Sequence, residues 1–202
     1  MNQDKAKFFD GQVDAGWSAS DYQGGDLEKI TNLLDTVKIK PGQRVLEPGC
    51  GTGRLTQILS AAVGANGLVA ALDISEVMIE RCRQRTRALN NVLVERAALE
   101  EMDLKNNFFD LVLCFNVFPH LDDQPAALAL FHRILKPTGL LAIFHLKPSS
   151  YINDIHSKSQ TVVEHDLLPA AAELKAMLQR SGFSLLQYRD DDRYLALAGK
   201  NL

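Results

Sequence analysis

Short, nearly unbroken apolar runs alternate with segments of helical period along most of this 202-residue chain, and that alternation narrows its fold more than any other feature. Arg44-Val45-Leu46-Glu47 predicts a strand after the turn Lys40-Pro41-Gly42. Arg54 to Val63 then places Leu55, Ile58, Leu59 and Ala62 on one side of a helix. Leu68 to Leu72 reads as a second strand, and Ser75 as the N-cap of a helix with Met78 and Ile79 on its apolar face, ending near Asn90. Val92-Leu93-Val94 and Phe109 to Phe115 are the third and fourth strands. A helix over Gln124 to Leu135 stops at Lys136-Pro137-Thr138-Gly139, and Leu140 to Leu146 is the fifth strand. Pro169 to Ser181 predicts a helix closed by Gly182. Leu185 to Tyr188 and Tyr194 to Ala198 are expected to pair as an antiparallel hairpin.

Strands that are apolar on both faces belong in a parallel sheet covered on both sides. With right-handed crossovers, the expected fold is a Rossmann-like, doubly wound α/β domain. Its mostly parallel seven-stranded sheet ends in the antiparallel C-terminal hairpin. One domain over residues 1–202 is expected, with 1–40 as an N-terminal helical cover and 147–168 as a lid inserted after the fifth strand.

Composition removes several function classes. Apolar residues make up 46% of the chain, enough for a core, so disorder is excluded. A net charge of −3 without a basic face argues against a nucleic-acid partner. No apolar run approaches the roughly 20 residues of a spanning helix, and Met1-Asn2-Gln3-Asp4-Lys5 lacks the organisation of a secretory signal. A cytoplasmic protein without a membrane partner is expected. Cys50, Cys82 and Cys114 include no Cys-x-x-Cys pair, which argues against a disulfide framework or a thiolate zinc site. Nothing in the sequence specifies the oligomeric state.

The most informative segment is Glu47-Pro48-Gly49-Cys50-Gly51-Thr52-Gly53, between the first strand and the first helix, where an open α/β sheet places its ligands. The spacing Gly-x-Gly-x-Gly is neither the dinucleotide fingerprint nor a P-loop. Glu47 would repel a pyrophosphate but suits an ammonium group. Twenty residues after Gly53, Asp73 ends the second strand, where a carboxylate can accept both hydroxyls of a ribose. The expected ligand is therefore nucleoside-like, cationic at one end, and without a pyrophosphate.

On these residues the chain resembles the class I S-adenosylmethionine-dependent methyltransferases, in particular small bacterial enzymes similar to quinone-biosynthesis methyltransferases. Glu47, Gly49, Gly51 and Gly53 match the family's first motif and Asp73 its ribose acid. Phe109 to Cys114 with Asn116 matches the fourth strand, and Leu135 to Leu141 the approach to the fifth. The resemblance implies S-adenosylmethionine as cofactor, held by Glu47, Gly49, Cys50, Gly51, Gly53, Asp73, Ile74, Met78, Ala98, Leu99 and Asn116. Arg96-Ala97-Ala98-Leu99 departs from the pattern, with alanine where many relatives carry an adenine-reading Asp, leaving the backbone of Ala98 and Leu99 for that contact.

The resemblance implies a transferase acting on a small-molecule acceptor. A protein methyltransferase and a non-catalytic cofactor-binding module are the alternatives. Trp17 and Tyr22 in the cover, and Asn153 and Asp166 in the lid, are the expected acceptor-binding residues, with packing of the two aromatic rings on the domain as the favoured alternative for the cover. His120, His145 and His156 are the catalytic candidates. Three readings of them stay open: plain loop histidines, a general base at His120 or His145, or a three-histidine metal site. No residue is assigned to a metal. Asp166 either orients an imidazole or caps the helix entering at Pro169. His132 and His165 are given no role.

Overall fold

The computed structural model describes residues 1–201. Leu202, the last residue of the expected domain, lies outside the described residues. The chain forms two compact units, Met1–Met102 and Asp103–Leu202.

In the first unit, helices α1 (Gln3–Asp10), α2 (Gly16–Ala19) and α3 (Gly24–Val37) precede a βαβαβ run. That run is β1 (Arg44–Pro48), α4 (Arg54–Val63), β2 (Leu68–Asp73), α5 (Glu76–Thr86) and β3 (Val92–Arg96), followed by a 3-10 turn at Leu99–Glu101. β2 pairs in parallel with β1, Val45 beside Val69, and with β3, Ala70 beside Leu93. Val45, Leu46, Leu59 and Val69 are fully buried, as the unbroken apolar runs require. β3 is the exception. Leu93 is 58% exposed because β3 lies at the end of the strand order and is covered less than its apolar sequence implied. Ser75 caps α5 as expected, its Oγ accepting from the Met78 N–H at 3.1 Å. The helix stops at Thr86 rather than near Asn90, with a turn closed by the Leu89 N–H donating to the Thr86 carbonyl.

The second unit contains β4 (Phe109–Phe115), a 3-10 turn (Phe118–His120), α6 (Gln124–Ile134), β5 (Leu135–His145), α7 (Ser149–Ser157), α8 (Ala171–Arg180), β6 (Phe183–Asp190) and β7 (Tyr194–Lys200). β4 and β5 are parallel, while β7 runs antiparallel to both β5 and β6. Its strand order is β4-β5-β7-β6, and that of the first unit is β3-β2-β1. The seven strands form a mixed sheet with the expected antiparallel C-terminal hairpin.

In the second unit the starts of β5 and α8 differ from the sequence reading. β5 begins at Leu135 and includes the Lys136–Gly139 stretch expected as a turn. The pairing jumps from Phe109–Leu135 to Leu111–Leu140, so these residues bulge out of the ladder, which suits a proline with no N–H to contribute. α8 starts at Ala171 because Ala170 remains extended after Pro169. Gly182 ends that segment at φ 82°, and a Cβ there would fall 2.7 Å from His132 Nε2. His132 also meets Phe183 edge-on, which gives it a packing role.

Candidate functional site

The first unit presents a glycine cradle. Gly49, Gly51 and Gly53 all have positive φ, the left-handed conformation that β-carbons resist. Two of them serve different ends. A Cβ on Gly51 would meet nothing within 4 Å, so its backbone is open to approach; one on Gly53 would lie 2.7 Å from Cys82 Sγ, so that glycine lets the loop sit against α5. The loop is tied down by the Cys50 N–H donating to the Leu72 carbonyl at 2.9 Å and the Gly53 N–H donating to the Cys50 carbonyl at 3.0 Å.

Asp73, at the end of β2, braces this cradle. Its Oδ2 accepts from the Gly51 N–H at 2.9 Å and its Oδ1 from the Ser75 N–H at 2.9 Å. Burial raises the pKa of the carboxyl, opposed by the backbone N–H groups of Ser75, Gly51 and Ile74. Glu47 is buried at the end of β1, with Thr56 Oγ1 donating to its Oε2 at 2.7 Å, and burial pushes its pKa well above the usual carboxylate range. Met78 is buried under α5, and the Ile74 carbonyl accepts from Arg96 Nε at 3.2 Å. The Ala98 N–H donates to Glu101 Oε2 at 3.3 Å, and the buried Leu99 opens the 3-10 turn.

The N-terminal helices are latched to this cradle. Thr52 Oγ1 donates to the Ser18 carbonyl at 2.6 Å, and Arg54 donates to the carbonyls of Ser20 and Trp17. Arg85 pairs with Asp21 and donates to the Thr52 carbonyl at 3.1 Å. The Tyr22 ring lies 4.0 Å beneath the Arg54 guanidinium, and burial pushes the Tyr22 pKa up to about 12. The Trp17 side of the segment is 56% exposed. Asp10 was not singled out in the sequence. Its Oδ1 accepts from Ser75 Oγ at 2.6 Å and from the Val77 N–H at 3.2 Å, joining α1 to the start of α5 across 65 residues of chain. No spacing or motif announces such a contact.

The second unit gathers the histidines. His120 Nδ1 lies 2.8 Å from Asp166 Oδ2, and the rings of His120 and His156 have centroids 4.9 Å apart. His156 Nδ1 contacts the Asp166 carbonyl, so one residue engages both imidazoles. Asp166 does not cap α8, which has no side-chain N-cap, and its carboxylate faces His120 instead. Asn153 pins the neighbouring backbone: its Oδ1 accepts from the Leu168 N–H at 2.8 Å and its Nδ2 donates to the Leu168 carbonyl at 3.0 Å. Asn153 and His156 share α7, as their spacing predicts.

His145 ends β5 and is 2% exposed. Burial, with His120 and His156 adding to it, lowers its pKa to about 3, so the ring is neutral at physiological pH. Its Nε2 has no hydrogen-bond partner among the described residues, and neither has the hydroxyl of Tyr194, whose ring meets His145 edge-on at 6.0 Å. Asn116, at φ 54°, links β4 to β5, its N–H donating to the Phe144 carbonyl at 2.8 Å and its Oδ1 accepting from the Leu146 N–H at 3.2 Å. Among the described residues no three His, Cys, Asp or Glu side chains are grouped to hold a metal ion. No helix among them is long and apolar enough to cross a membrane.

Comparison with known proteins bears on both units. A family model described as a methyltransferase domain matches residues 39–196. The chain is 28% identical over 196 residues to the ubiquinone/menaquinone biosynthesis C-methyltransferase UbiE of Vibrio cholerae, covering 84% of this chain and 75% of that protein. The corresponding Vibrio campbellii protein is 35% identical over 162 residues, covering 78% of this chain and 62% of that one. Among solved structures, a SAM-dependent methyltransferase from Aquifex aeolicus matches with a TM-score of 0.71 at 20% identity, over 98% of both chains. The glycine cradle with its strand-end acid and the family match lead to one conclusion: this chain belongs to the class I S-adenosylmethionine-dependent methyltransferases.

Proposed function

We propose that this methyltransferase works as one domain on a small-molecule acceptor, an oxygen-bearing aromatic ring, with His120 as general base and Asp166 as its positioning residue. The His120–Asp166 pair at 2.8 Å carries the reading. A carboxylate on Nδ1 holds the proton there and leaves Nε2 as the basic nitrogen. His156, in contact with the same Asp166 backbone, limits the motion of the pair. The buried, neutral His145 adds a polar group without a competing charge. Relatives named as ubiquinone/menaquinone biosynthesis C-methyltransferases support the choice of substrate class.

The cradle residues suit the cofactor. The open face over Gly51 admits a nucleoside, and Asp73 offers carboxylate oxygens at the strand end for its ribose. S-adenosylmethionine, when bound, supplies an electrophilic methyl group on a sulfonium. The chain then has to align the acceptor, exclude water, and take one proton from an acceptor hydroxyl onto His120. The test is transfer of labelled methyl to a panel of hydroxylated aromatics. His120→Ala and Asp166→Asn should lower kcat by about 10²–10⁴-fold and leave cofactor affinity unchanged. Undiminished turnover in His120→Ala would remove it as the base, and label appearing only in protein would favour a macromolecular acceptor.

A further inference from the structure

We propose that Cys50 and Cys82 form a redox-modifiable thiol pair, and that closing it to a disulfide shuts the glycine cradle to the cofactor. The proposal rests on placing the cofactor at that cradle. All three cysteines of the chain are free thiols. Cys114 is isolated in β4, but Cys50 Sγ donates to Cys82 Sγ at 3.9 Å. The two sulfurs sit in one small core cluster with Ala71 and Ile79. One partner belongs to the cradle and the other to the middle of α5, so the pair connects the ligand-facing loop to the helix beneath it.

The geometry favours closure at a cost to the loop. A disulfide requires the sulfurs about 2.05 Å apart, so the pair must close by roughly half its present separation. Gly53 packs against Cys82 with no room for a side chain, since a Cβ there would fall 2.7 Å from Cys82 Sγ. Movement therefore falls on Cys50 and its neighbours. Those neighbours are Gly51, whose N–H donates to Asp73, and Gly49. Drawing Cys50 toward α5 disturbs that bond and the open backbone face with it.

Reactivity is divided between the partners. Both thiols are buried, Cys50 at 7% exposure and Cys82 at 0%, so Cys50 is the one of the pair nearer the surface. The hydrogen bond from Cys50 lowers the Cys82 thiol pKa, while the same bond and burial push the Cys50 thiol well up, so the thiolate falls to Cys82 and the exposed edge of the pair to Cys50. A hydroperoxide supplies the oxidising equivalents. One sulfur of the pair, losing its proton, attacks the O–O bond to give a sulfenic acid and an alcohol, or water from hydrogen peroxide. The partner sulfur then attacks the sulfenic sulfur, the S–S bond forms, and the hydroxyl departs as water with the partner's proton. Two thiols are oxidised by two electrons and one peroxide is reduced. A cofactor in the cradle covers Cys50 and protects the pair.

The full-length protein is treated with hydrogen peroxide, and the product is followed by intact mass, peptide mapping and S-adenosylmethionine titration. A Cys50–Cys82 crosslink should appear, with cofactor affinity reduced roughly tenfold or more and restored by a thiol reductant. Prior saturation with S-adenosylmethionine should suppress it. Cys82→Ala should bind cofactor as the untreated protein does and keep that affinity after peroxide. Cys82→Ser, with a side chain closer in size, serves the same purpose if the alanine variant is poorly folded. Peroxide that leaves both thiols reduced, or oxidises each separately, would overturn the proposal, as would a crosslink that leaves affinity unchanged. The cradle placement has its own control in the reduced protein: normal binding by Asp73→Ala would refute the placement whatever the thiols do.

Discussion

The glycine cradle of the first unit and the histidine cluster of the second solve different problems with different parts of the chain. The cradle is made of backbone: three positive-φ glycines, an open face over Gly51, and N–H groups that one carboxylate holds in place. The cluster is made of side chains drawn from a 3-10 turn, a strand end, a helix and a loop, with Asp166 engaging two imidazoles. Backbone recognition demands particular residue types at fixed spacing, because only glycine tolerates the conformation and the close approach. Side-chain chemistry demands only that the groups meet, wherever the chain supplies them. The first arrangement suits a cofactor common to a whole family, and the second suits an acceptor that differs from member to member.

Substitutions separate the two. Gly51→Val puts a branched side chain on a positive-φ residue and into the open face, and should eliminate measurable cofactor binding while circular dichroism still reports the fold. If binding survives, the cradle is not a backbone site. His120→Ala should then show the opposite profile, normal cofactor titration with kcat lower by about 10²–10⁴-fold. Asp73→Ala is expected to weaken the cofactor by about 1.5–3 kcal/mol, the scale of hydrogen bonds to a charged acceptor, measured by isothermal titration.

A fourth prediction concerns acid stability of the cluster. The folded pKa of His145 is depressed to about 3, below the unfolded value of about 6.5. The unfolded chain therefore binds the proton first. The stability His145 contributes is complete above pH 6.5 and declines as pH falls toward 3, by about 2 kcal/mol at pH 5. Denaturant titrations at pH 7 and pH 5 should show a smaller loss in His145→Gln than in the natural sequence. Equal losses would mean the ring is not held neutral by burial. The smallest effect is expected at Asp10→Ala, where loss of the bonds to Ser75 and Val77 should cost about 1 kcal/mol and leave kcat for the acceptor largely intact.

The difference between the two regions also explains what was legible in the sequence. The strand–helix alternation and the cradle could be read because both follow from local rules: apolar runs, a serine N-cap, glycines at Gly49, Gly51 and Gly53, an acid at a strand end. The C-terminal hairpin followed from the same rules. Leu93 misled because composition does not say whether a strand is central or at the edge. Pro137 and Gly139 suggested a turn, yet pairing on both sides of them absorbed the irregularity as a bulge within β5. The histidines were singled out by their positions at strand ends and in the insertion, but the choice between the two roles of Asp166 depended on a contact with His120 across 46 residues. Asp10 was missed for the same reason. A lone aspartate at a helix end looks like any solvent-facing acid until Ser75 is seen beside it.

The latch of the N-terminal helices onto the cradle has a consequence for how the chain assembles. Thr52 reaches Ser18 over 34 residues and Ser75 reaches Asp10 over 65, whereas the β1–β2 pairing sets Arg44 beside Leu68. Contacts that close long loops form after those that close short ones. The Ser75–Asp10 bond closes the longest of these loops, so its closure costs more chain entropy than the β1–β2 pairing does.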